Sequence, residues 1–475
     1  MGLPEHWQIV RFGEVATFTK KPRDLRYSDY AEVPFVPMSL IPIATLFSKN
    51  FIHKPTDTIS SGTYFEPGDI LLAKITPSFE NGKQCIIQEL PTPFGIATTE
   101  VIPIREVEGV SDKFYIFYYL LVPDVRALLT ARMQGTTGRL RLGTKTLAEL
   151  KIPLPPLAEQ GRIVTKLEVL FTQLDAAVDS LKKAQKQLQR YRKSILKAAF
   201  EGELTKEWRD RYSNKSQPTN NSTGFPENWE KTTVGQVIKK VSLSGKKVKK
   251  GEYESEGKLP VIDQGSSFIG GYTNDEELKI ECELPVIVFG DHTKAIKYVD
   301  FDFVGGADGI KVIKSQEMYH PKLFYYFIRA ISLPDRGYSR HFQFLEKAKI
   351  PIPPLTEQEQ IVSEIERHLA VADEVETTIA TGLKRASRLR QSILKQAFSG
   401  RLVSQDPHDE PASVLLEKIK DEKKQQPKGR KTIRTKSKAQ DNDDYPLLAR
   451  AGALEHRDNA IGGASLAELR GDESE

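Results

Sequence analysis

Cysteine is scarce in this chain, long apolar runs are absent, and the familiar signatures of catalysis are missing. Only Cys85 and Cys282 occur, in different halves of the 475 residues. Two such residues make neither a disulfide framework nor a four-ligand zinc site. No apolar stretch approaches the roughly 18 residues that span a bilayer, and the N-terminus lacks a secretory signal's apolar core. A soluble, cytoplasmic protein with no membrane contact is therefore expected. The chain has no Gly-x-x-x-x-Gly-Lys-Ser/Thr phosphate loop, no Gly-x-Ser-x-Gly elbow and no Asn/Asp-Pro-Pro-Tyr/Phe signature of amino-methyltransferases. Asp291-His292-Thr293 suggests an acid–base pair, but no nucleophile or ligand set accompanies it, and the other half has no counterpart. A polar loop is the better account. The expectation is no catalytic residue, no metal and no cofactor held by this chain. Charge of either sign is not in excess either: 69 Lys and Arg stand against 64 Asp and Glu, a net +5. That balance permits a nucleic-acid partner without demanding one.

What the chain has instead is a repeat. Ile152-Pro-Leu-Pro-Pro-Leu157 returns as Ile350-Pro-Ile-Pro-Pro-Leu355, and Glu159-Gln160 and Ile163-Val164 return as Glu357-Gln358 and Ile361-Val362. Ser194-Ile-Leu-Lys197, Phe200 and Gly202 return as Ser392-Ile-Leu-Lys395, Phe398 and Gly400. All pairs lie 198 positions apart (350 minus 152), so the copies align without a gap. A period this long, used twice, is a duplicated half-molecule and not a solenoid. The duplication also reaches upstream, where Gly2-Leu-Pro-Glu-His-Trp7 matches Gly224-Phe-Pro-Glu-Asn-Trp229 at an offset of 222. The fall from 222 to 198 makes the second globular region 24 residues shorter. Matched ends around a diverged middle imply one scaffold carrying two different readers.

Each copy encodes a long helix. The Pro-Pro pair blocks a helix upstream and fixes an extended approach. After it, Ile163, Leu167, Leu170, Leu174, Ala177, Leu181, Ala184, Leu188, Tyr191, Ile195 and Ala198 recur at spacings of 4 and 3. That is a heptad seam, over a span from Leu157 to Phe200 that makes a rod of about 65 Å at 1.5 Å per residue. The second copy keeps the register through Ile361, Ile365, His368, Ala372, Val375, Ile379, Gly382, Ala386, Leu389, Ile393 and Gln396. A seam needs a partner, and the nearest is the other copy. An antiparallel pair is expected, because a globular region lies between the rods and carries the chain back. His368 reads as a core or edge histidine and not as a ligand.

The globular regions read as β-rich with helices. Asp69-Ile-Leu-Leu-Ala73 and Pro285-Val-Ile-Val-Phe289 are buried-strand runs, each leading into a polar loop. The aromatic stretches Phe114–Tyr119 and Leu323–Phe327 read as core. A polar, basic segment precedes each Pro-rich motif. Arg, Lys, Asn and Gln reach base edges, while Ser, Thr and backbone N–H groups hold phosphates. Such groups in half one are Lys74, Ser78, Asn81, Lys83, Thr136, Thr137, Arg139 and Arg141. In half two they are Gln264, Asp291, His292, Thr293, Lys294, Ser339, Arg340, His341 and Gln343. Beyond Val403 the chain reads as a basic, disordered tail with a short helix possible from Ala412 to Glu422.

With these motifs in view, residues 1 to 425 resemble the specificity subunit of type I restriction-modification enzymes. The most specific likeness is Ile-Pro-Leu/Ile-Pro-Pro-Leu-x-Glu-Gln-x-x-Ile-Val opening a helix that closes with Ser-Ile-Leu-Lys-x-Ala-Phe-x-Gly; Gly-Asp-His-Thr-Lys after a strand adds to it. The resemblance implies an α+β fold with a pseudo-twofold internal repeat: two β-rich α/β target recognition domains separated by two long antiparallel helices forming a coiled coil. The divisions expected are a first recognition domain at 1–151, a first spacer helix at 152–205 and a linker at 206–223. A second recognition domain follows at 224–349, a second spacer helix at 350–403 and a tail at 404–475. The resemblance further implies double-stranded DNA as ligand, read as a bipartite site. It implies two modification subunits that carry S-adenosylmethionine and methylate adenine, and restriction (motor-nuclease) subunits. Three other readings stay open from sequence: a coiled-coil interaction scaffold without nucleic acid, a self-sufficient methyltransferase, and the specificity subunit of a methylation-only system.

Overall fold

The structure, a computed structural model, describes residues 2–136, 138–212, 225–306, 309–334, 337 and 339–417. Thr137, most of the expected linker and the Lys/Arg-rich run from Lys423 to Lys438 lie outside the described residues.

Each half begins by clasping its own end. Gln8–Arg11 pairs antiparallel with Lys151–Leu154, and Glu230–Thr233 pairs in the same way with Lys349–Ile352. The Pro-rich motif is thus a two-stranded clasp, in which Ile152, Leu154 and Ile350 are fully buried. A boundary at 152 or 350 cuts this strand, so the clasp belongs with the globular region. Inside the clasp each half has the same antiparallel sheet. Its strand order is Ala16–Phe18, Val101–Glu106, Ile70–Ala73, Gln84–Ile86 in half one. In half two it is Ile238–Val241, Ile310–Ser315, Val286–Gly290, Ile296–Val299. The central strands, Ile70–Ala73 and Val286–Gly290, are buried along their whole length, as the apolar runs predict. The aromatic helices Lys113–Tyr119 and Pro321–Ala330 are core, with Tyr115, Phe117, Leu323, Phe324 and Phe327 fully buried.

The two rods run Leu157–Phe200 and Leu355–Ala397. Their contacts fix the direction: Tyr191 Oη meets His368 Nδ1 at 2.7 Å, Arg192 holds Asp373 at 2.5 Å and Glu376 at 2.7 Å, and Arg390 holds Asp175. From the Asp175–Arg390 contact to the Tyr191–His368 contact one number rises while the other falls, so the rods are antiparallel. Near the middle, Leu181 comes to Gly382, while Ile379 and Leu188 pack with Ala372 and Ala184. Large faces small on each side of the pseudo-dyad, which brings the backbones close. Ile163, Leu167, Leu174, Leu188 and Ile195 are buried, as are Ile361, Ile365, Ile379 and Ile393; Leu170 and Leu181 are half-buried. Val375 and Leu389 depart from the expected seam: they are 41% and 47% exposed. A two-rod contact is narrow, and between Ile365 and Ile393 of the second rod only every seventh residue is buried: Ile365, Ala372, Ile379, Ala386 and Ile393. The alternate heptad position lies on the rim.

Buried polar groups fasten the rods to the modules in the same way twice. Trp7 Nε1 donates to Glu159 Oε2 at 3.0 Å, and Trp229 Nε1 to Glu357 Oε2 at 2.9 Å. Gln160 accepts from the Asp112 N–H at 2.8 Å and donates to the Val110 and Pro155 carbonyls; Gln358 accepts from the His320 N–H at 2.7 Å and donates to those of Met318 and Pro353. All four Glu and Gln side chains are buried, so the repeated Glu-Gln pair is a structural joint. Burial pushes the Glu159 carboxyl above its usual range, against the bonds from Trp7 and Gln405.

At its far end each rod meets the other half. Phe200 packs on Phe327, and Phe398 on Tyr115 and Tyr119. Gly202 and Gly400 adopt left-handed φ of +81° and +71°, and a Cβ there would lie 2.5 Å from Pro226 Cγ and 2.3 Å from Pro4 Cγ. Gly400→Ala should therefore destabilise the fold by about 2 kcal/mol, from the left-handed penalty of about 1–2 kcal/mol plus the overlap with Pro4. Thermal unfolding of Gly400→Ala beside Gly202→Ala checks this, with matched losses expected.

A segment read as linker and one read as tail are ordered, and the latter carries part of the short helix expected from Ala412. Residues Lys206–Tyr212, expected in the linker, form a helix whose Arg209 grips Glu357. In the expected tail, Gln405 donates to Glu159 at 2.7 Å, Asp409 pairs with Arg162 at 2.6 Å, and residues 412–417 are helical. Each segment covers the buried glutamate of a rod.

Candidate nucleic-acid interface

In half one the buried strand Ile70–Ala73 delivers the polar loop 74–83 at one end of the sheet. The loop coils on itself, with N–H donations from Phe79 to Ile75, Asn81 to Pro77 and Lys83 to Ser78 at 2.9–3.1 Å. Phe79 is its buried root, and Pro77, Glu80 and Asn81 are exposed. A hairpin of Gln134–Thr136 and Arg139–Arg141 lies beside it. The two are joined: Thr76 N donates to the Leu140 carbonyl at 3.0 Å, Leu140 N to Thr76 Oγ1 at 3.0 Å, and Leu142 N to the Lys74 carbonyl at 2.8 Å.

Among the expected contact residues, the structure brings Lys74, Ser78, Asn81, Thr136, Arg139 and Arg141 to this loop and hairpin. Asn81, Thr136, Arg139 and Arg141 are exposed, and Lys74 and Ser78 are half-buried. Two cations are already engaged. Lys83 Nζ donates to the Met38 carbonyl at 2.9 Å. Arg141 makes a two-pronged bond to Glu100, at 2.9 and 2.8 Å, and holds that carboxyl below its usual range. Beside the hairpin is a cleft of about 410 Å³ lined by Lys74, Arg132, Gln134, Arg141, Thr144 and Thr146. Gln134 opens the polar segment noted in the sequence; Arg132 did not stand out there, and its adjacency to the hairpin was the available signal.

In half two the buried strand Val286–Gly290 leads into a tight turn, closed by Lys294 N to the Gly290 carbonyl at 2.9 Å and Gly290 N to that of Ala295 at 2.8 Å. Lys294 takes φ +60°, a left-handed geometry of the kind that collects at functional sites. Asp291 and His341 sit differently from the open contact positions expected of them: they are 4% and 0% exposed. Asp291 Oδ1 accepts from the Phe342 N–H at 2.8 Å, its carbonyl accepts from the His341 N–H at 2.8 Å, and its own N–H donates to Gly309 at 2.6 Å. They bind the turn to the segment ahead of helix Phe342–Lys347. Gln264 accepts from the His292 N–H at 3.3 Å and from Thr293 Oγ1, through its carbonyl, at 2.7 Å. Thr293, Arg340 and Gln343 are exposed, and His292, Lys294 and Ser339 half-buried. Beneath lies Lys297, buried, 2.6 Å from the Ser267 carbonyl and 3.4 Å from Asp263; burial draws its ammonium below the usual range. A second cleft, about 310 Å³, is lined by Lys240, Lys247 and Lys311 together with Ser244 and Phe342. Those lysines were not singled out from sequence, where they are scattered over 72 positions (311 minus 240, inclusive).

Polar loops therefore leave the same end of the same sheet in both modules, and one paired-helix spacer carries both modules. Among the described residues no group of three or more His, Cys, Asp or Glu is placed to hold a metal, and no helix is long and apolar enough to cross a membrane. These features define a two-module recognition scaffold. Its sequence matches the type I restriction modification DNA specificity domain twice, over residues 4–190 and 226–385, and the chain belongs to that family of type I restriction-modification specificity subunits. It is similar to the EcoKI specificity subunit of Escherichia coli strain K12, 23% identical over 92% of this chain and 99% of that one. It is also similar to the EcoBI specificity subunit of Escherichia coli, 27% identical over 67% of this chain and 74% of that one. A solved chain from a study of complex assembly and conformational transition in the type I system shares the fold, with a TM-score of 0.65 and 19% identity over 84% of this chain and all of that one. The specificity subunit from Thermoanaerobacter tengcongensis aligns with a TM-score of 0.51 and 19% identity over 84% of this chain and 98% of that one.

Proposed function

We propose that this chain reads a bipartite double-stranded DNA site, one half-site per module, and docks two modification subunits and the restriction subunits along its paired helices. The single observation that carries this reading is the matched placement of the two polar loops on otherwise diverged modules. The reading surfaces are Lys74, Ser78, Asn81, Thr136 and Arg139 in half one, and His292, Thr293, Lys294, Arg340 and Gln343 in half two. Arg132 and the Lys240–Lys247–Lys311 cleft supply phosphate contacts. Asp291 and His341 hold the second loop in shape. The exposed apolar residues Val371, Val375 and Leu389 form part of the protein-docking face. The chain has no turnover of its own: S-adenosylmethionine belongs to the modification subunits, and the assembly works in the cytoplasm.

The test is sequencing of modified adenines in cells that express the chain with its modification partner. Replacing residues 8–150 with the matching region of another family member should change one half-site and leave the other intact; a change in both would defeat the modular reading. Arg139→Ala should relax one position of the first half-site, costing about 1–3 kcal/mol of discrimination. A uniform loss over all sequences would make Arg139 a phosphate contact instead. Absence of salt-dependent binding to duplex DNA would favour a protein-only scaffold.

A further inference from the structure

We propose that Arg126 is a positioning residue for the first recognition loop: from below, it fixes the shape of residues 74–83 and so governs reading of the first half-site without touching DNA. The inference rests on the DNA-reading function proposed above.

Arg126 lies on the helix Pro123–Thr130 and is 9% exposed. Its Nη1 donates to the carbonyl of Phe79, the buried root of the loop, and its Nη2 donates to Gln84 Oε1 at 2.6 Å. Gln84 is the residue on which the loop re-enters the sheet. It is fully buried and donates in turn to the Phe117 carbonyl of the aromatic helix at 2.8 Å. The guanidinium lies 4.8 Å from the centre of the Phe79 ring. One side chain therefore grips the middle and the exit of the loop and ties both to two helices. The loop's Thr76 is bonded to the reading hairpin, so the same hold extends to the strand that presents Arg139.

Core packing does not account for this arginine. Burial draws its basicity down, to about 10, and among the described residues the carboxylate acting on it is that of exposed Glu80. A buried cation without a close carboxylate costs free energy that an apolar side chain of similar length would avoid. The helix that carries it is also particular to this half. Asp112 and His320, bonded alike to Gln160 and Gln358, are 208 positions apart, but the offset has fallen to 198 by the Pro-rich motifs. Those ten extra residues accommodate Pro123–Thr130, and no helix stands between Pro321–Ala330 and Phe342–Lys347 among the described residues. Half two holds its turn through Asp291 and His341 instead. The modules share a sheet but not the brace under the loop, as expected if the brace belongs to the reading of a particular sequence.

The experiment uses the full chain assembled with its modification subunits, as wild type, Arg126→Met and Arg126→Lys. The probe is a random-sequence duplex DNA library, from which each complex selects its motif. Melting temperature and binding to unselected duplex are measured in parallel. Arg126→Met should lose about tenfold or more in selection for the first half-site, the worth of one good base contact. The second half-site and unselected binding should stay near wild type, melting should fall only by the modest amount that two unpartnered buried acceptors cost, and Arg126→Lys should recover part of the loss. Wild-type selection by Arg126→Met would overturn the inference and leave the DNA-reading function standing. So would joint loss of both half-sites with lowered melting in both variants, which would make Arg126 a general stability element. Failure of the wild type itself to select any motif would remove the DNA-reading function and this inference with it.

Discussion

Four residues inserted after Gln185, with four more at the same height on the partner rod after Ile379, should lengthen the untouched gap between the half-sites by one or two base pairs. Both half-site sequences should stay as they are. Four residues add about 6 Å of helix and overshoot one turn by about 40°, while each base pair occupies about 3.4 Å. The rods are antiparallel and touch at Tyr191–His368 and Asp175–Arg390, on either side of the insertion. Both ends keep their own contacts, and the middle accommodates the insert with local unwinding. The modules move apart because each is fastened to its rod end by a buried Glu-Gln joint. Modification-sensitive sequencing reads the result. An unchanged gap at full activity would show that the partner subunits, and not the rods, set the spacing.

Ile379→Asp should severely damage the contact at the middle of the rods. Ile379 is 4% exposed and packs with Leu188 and Ala372, and with the half-buried Leu181, Ala184 and Leu383. Deleting a buried isoleucine costs about 2–5 kcal/mol, and an unpaired carboxylate in its place adds a desolvation cost. Loss of about 3–5 kcal/mol, a large fall in melting temperature and loss of methylation by the reconstituted complex are expected. Ile379→Val, at about 0.5–1.5 kcal/mol, is the matched control. If Ile379→Asp melted and assembled like wild type, the central contact would contribute little to the fold.

Much of this architecture was legible in the sequence, for physical reasons. A gapless repeat of 198 positions leaves little freedom in topology, and a heptad pattern dictates a paired rod; Leu157 and Phe200 bound the first rod as the pattern implied. Other features depended on which way a side chain points. Val375 and Leu389 have the residue type and spacing of a seam, but two helices touch along a strip too narrow to cover every heptad position. Asp291 and His341 are polar and follow a strand, as contact residues would, yet their bonds turn inward. A polar side chain in a loop satisfies itself against backbone as readily as against a ligand. Lys206–Tyr212 carries few apolar residues, and what orders it is Arg209 on a glutamate 148 positions away. Arg126 gave no signal until the two halves could be compared brace by brace.

The two glycine junctions carry a consequence for the order in which the halves are written. Gly202 seats on Pro226 a short way along the chain, whereas Gly400 seats on Pro4 at the other end of it. The side chains cannot distinguish these cases: the same Pro, Trp and Glu close both. The first junction is bridged by the short run from Gly202 to Pro226, while the second is made between residues far apart in sequence. A circularly permuted gene that joined the segment after Gly400 to the residues before Pro4, and opened the chain ahead of Phe225, would bury the same interior and differ mainly in the entropy of one loop closure. Such a permuted chain should melt near the original, because each junction is closed by its own Pro-Glu-x-Trp and its own glycine.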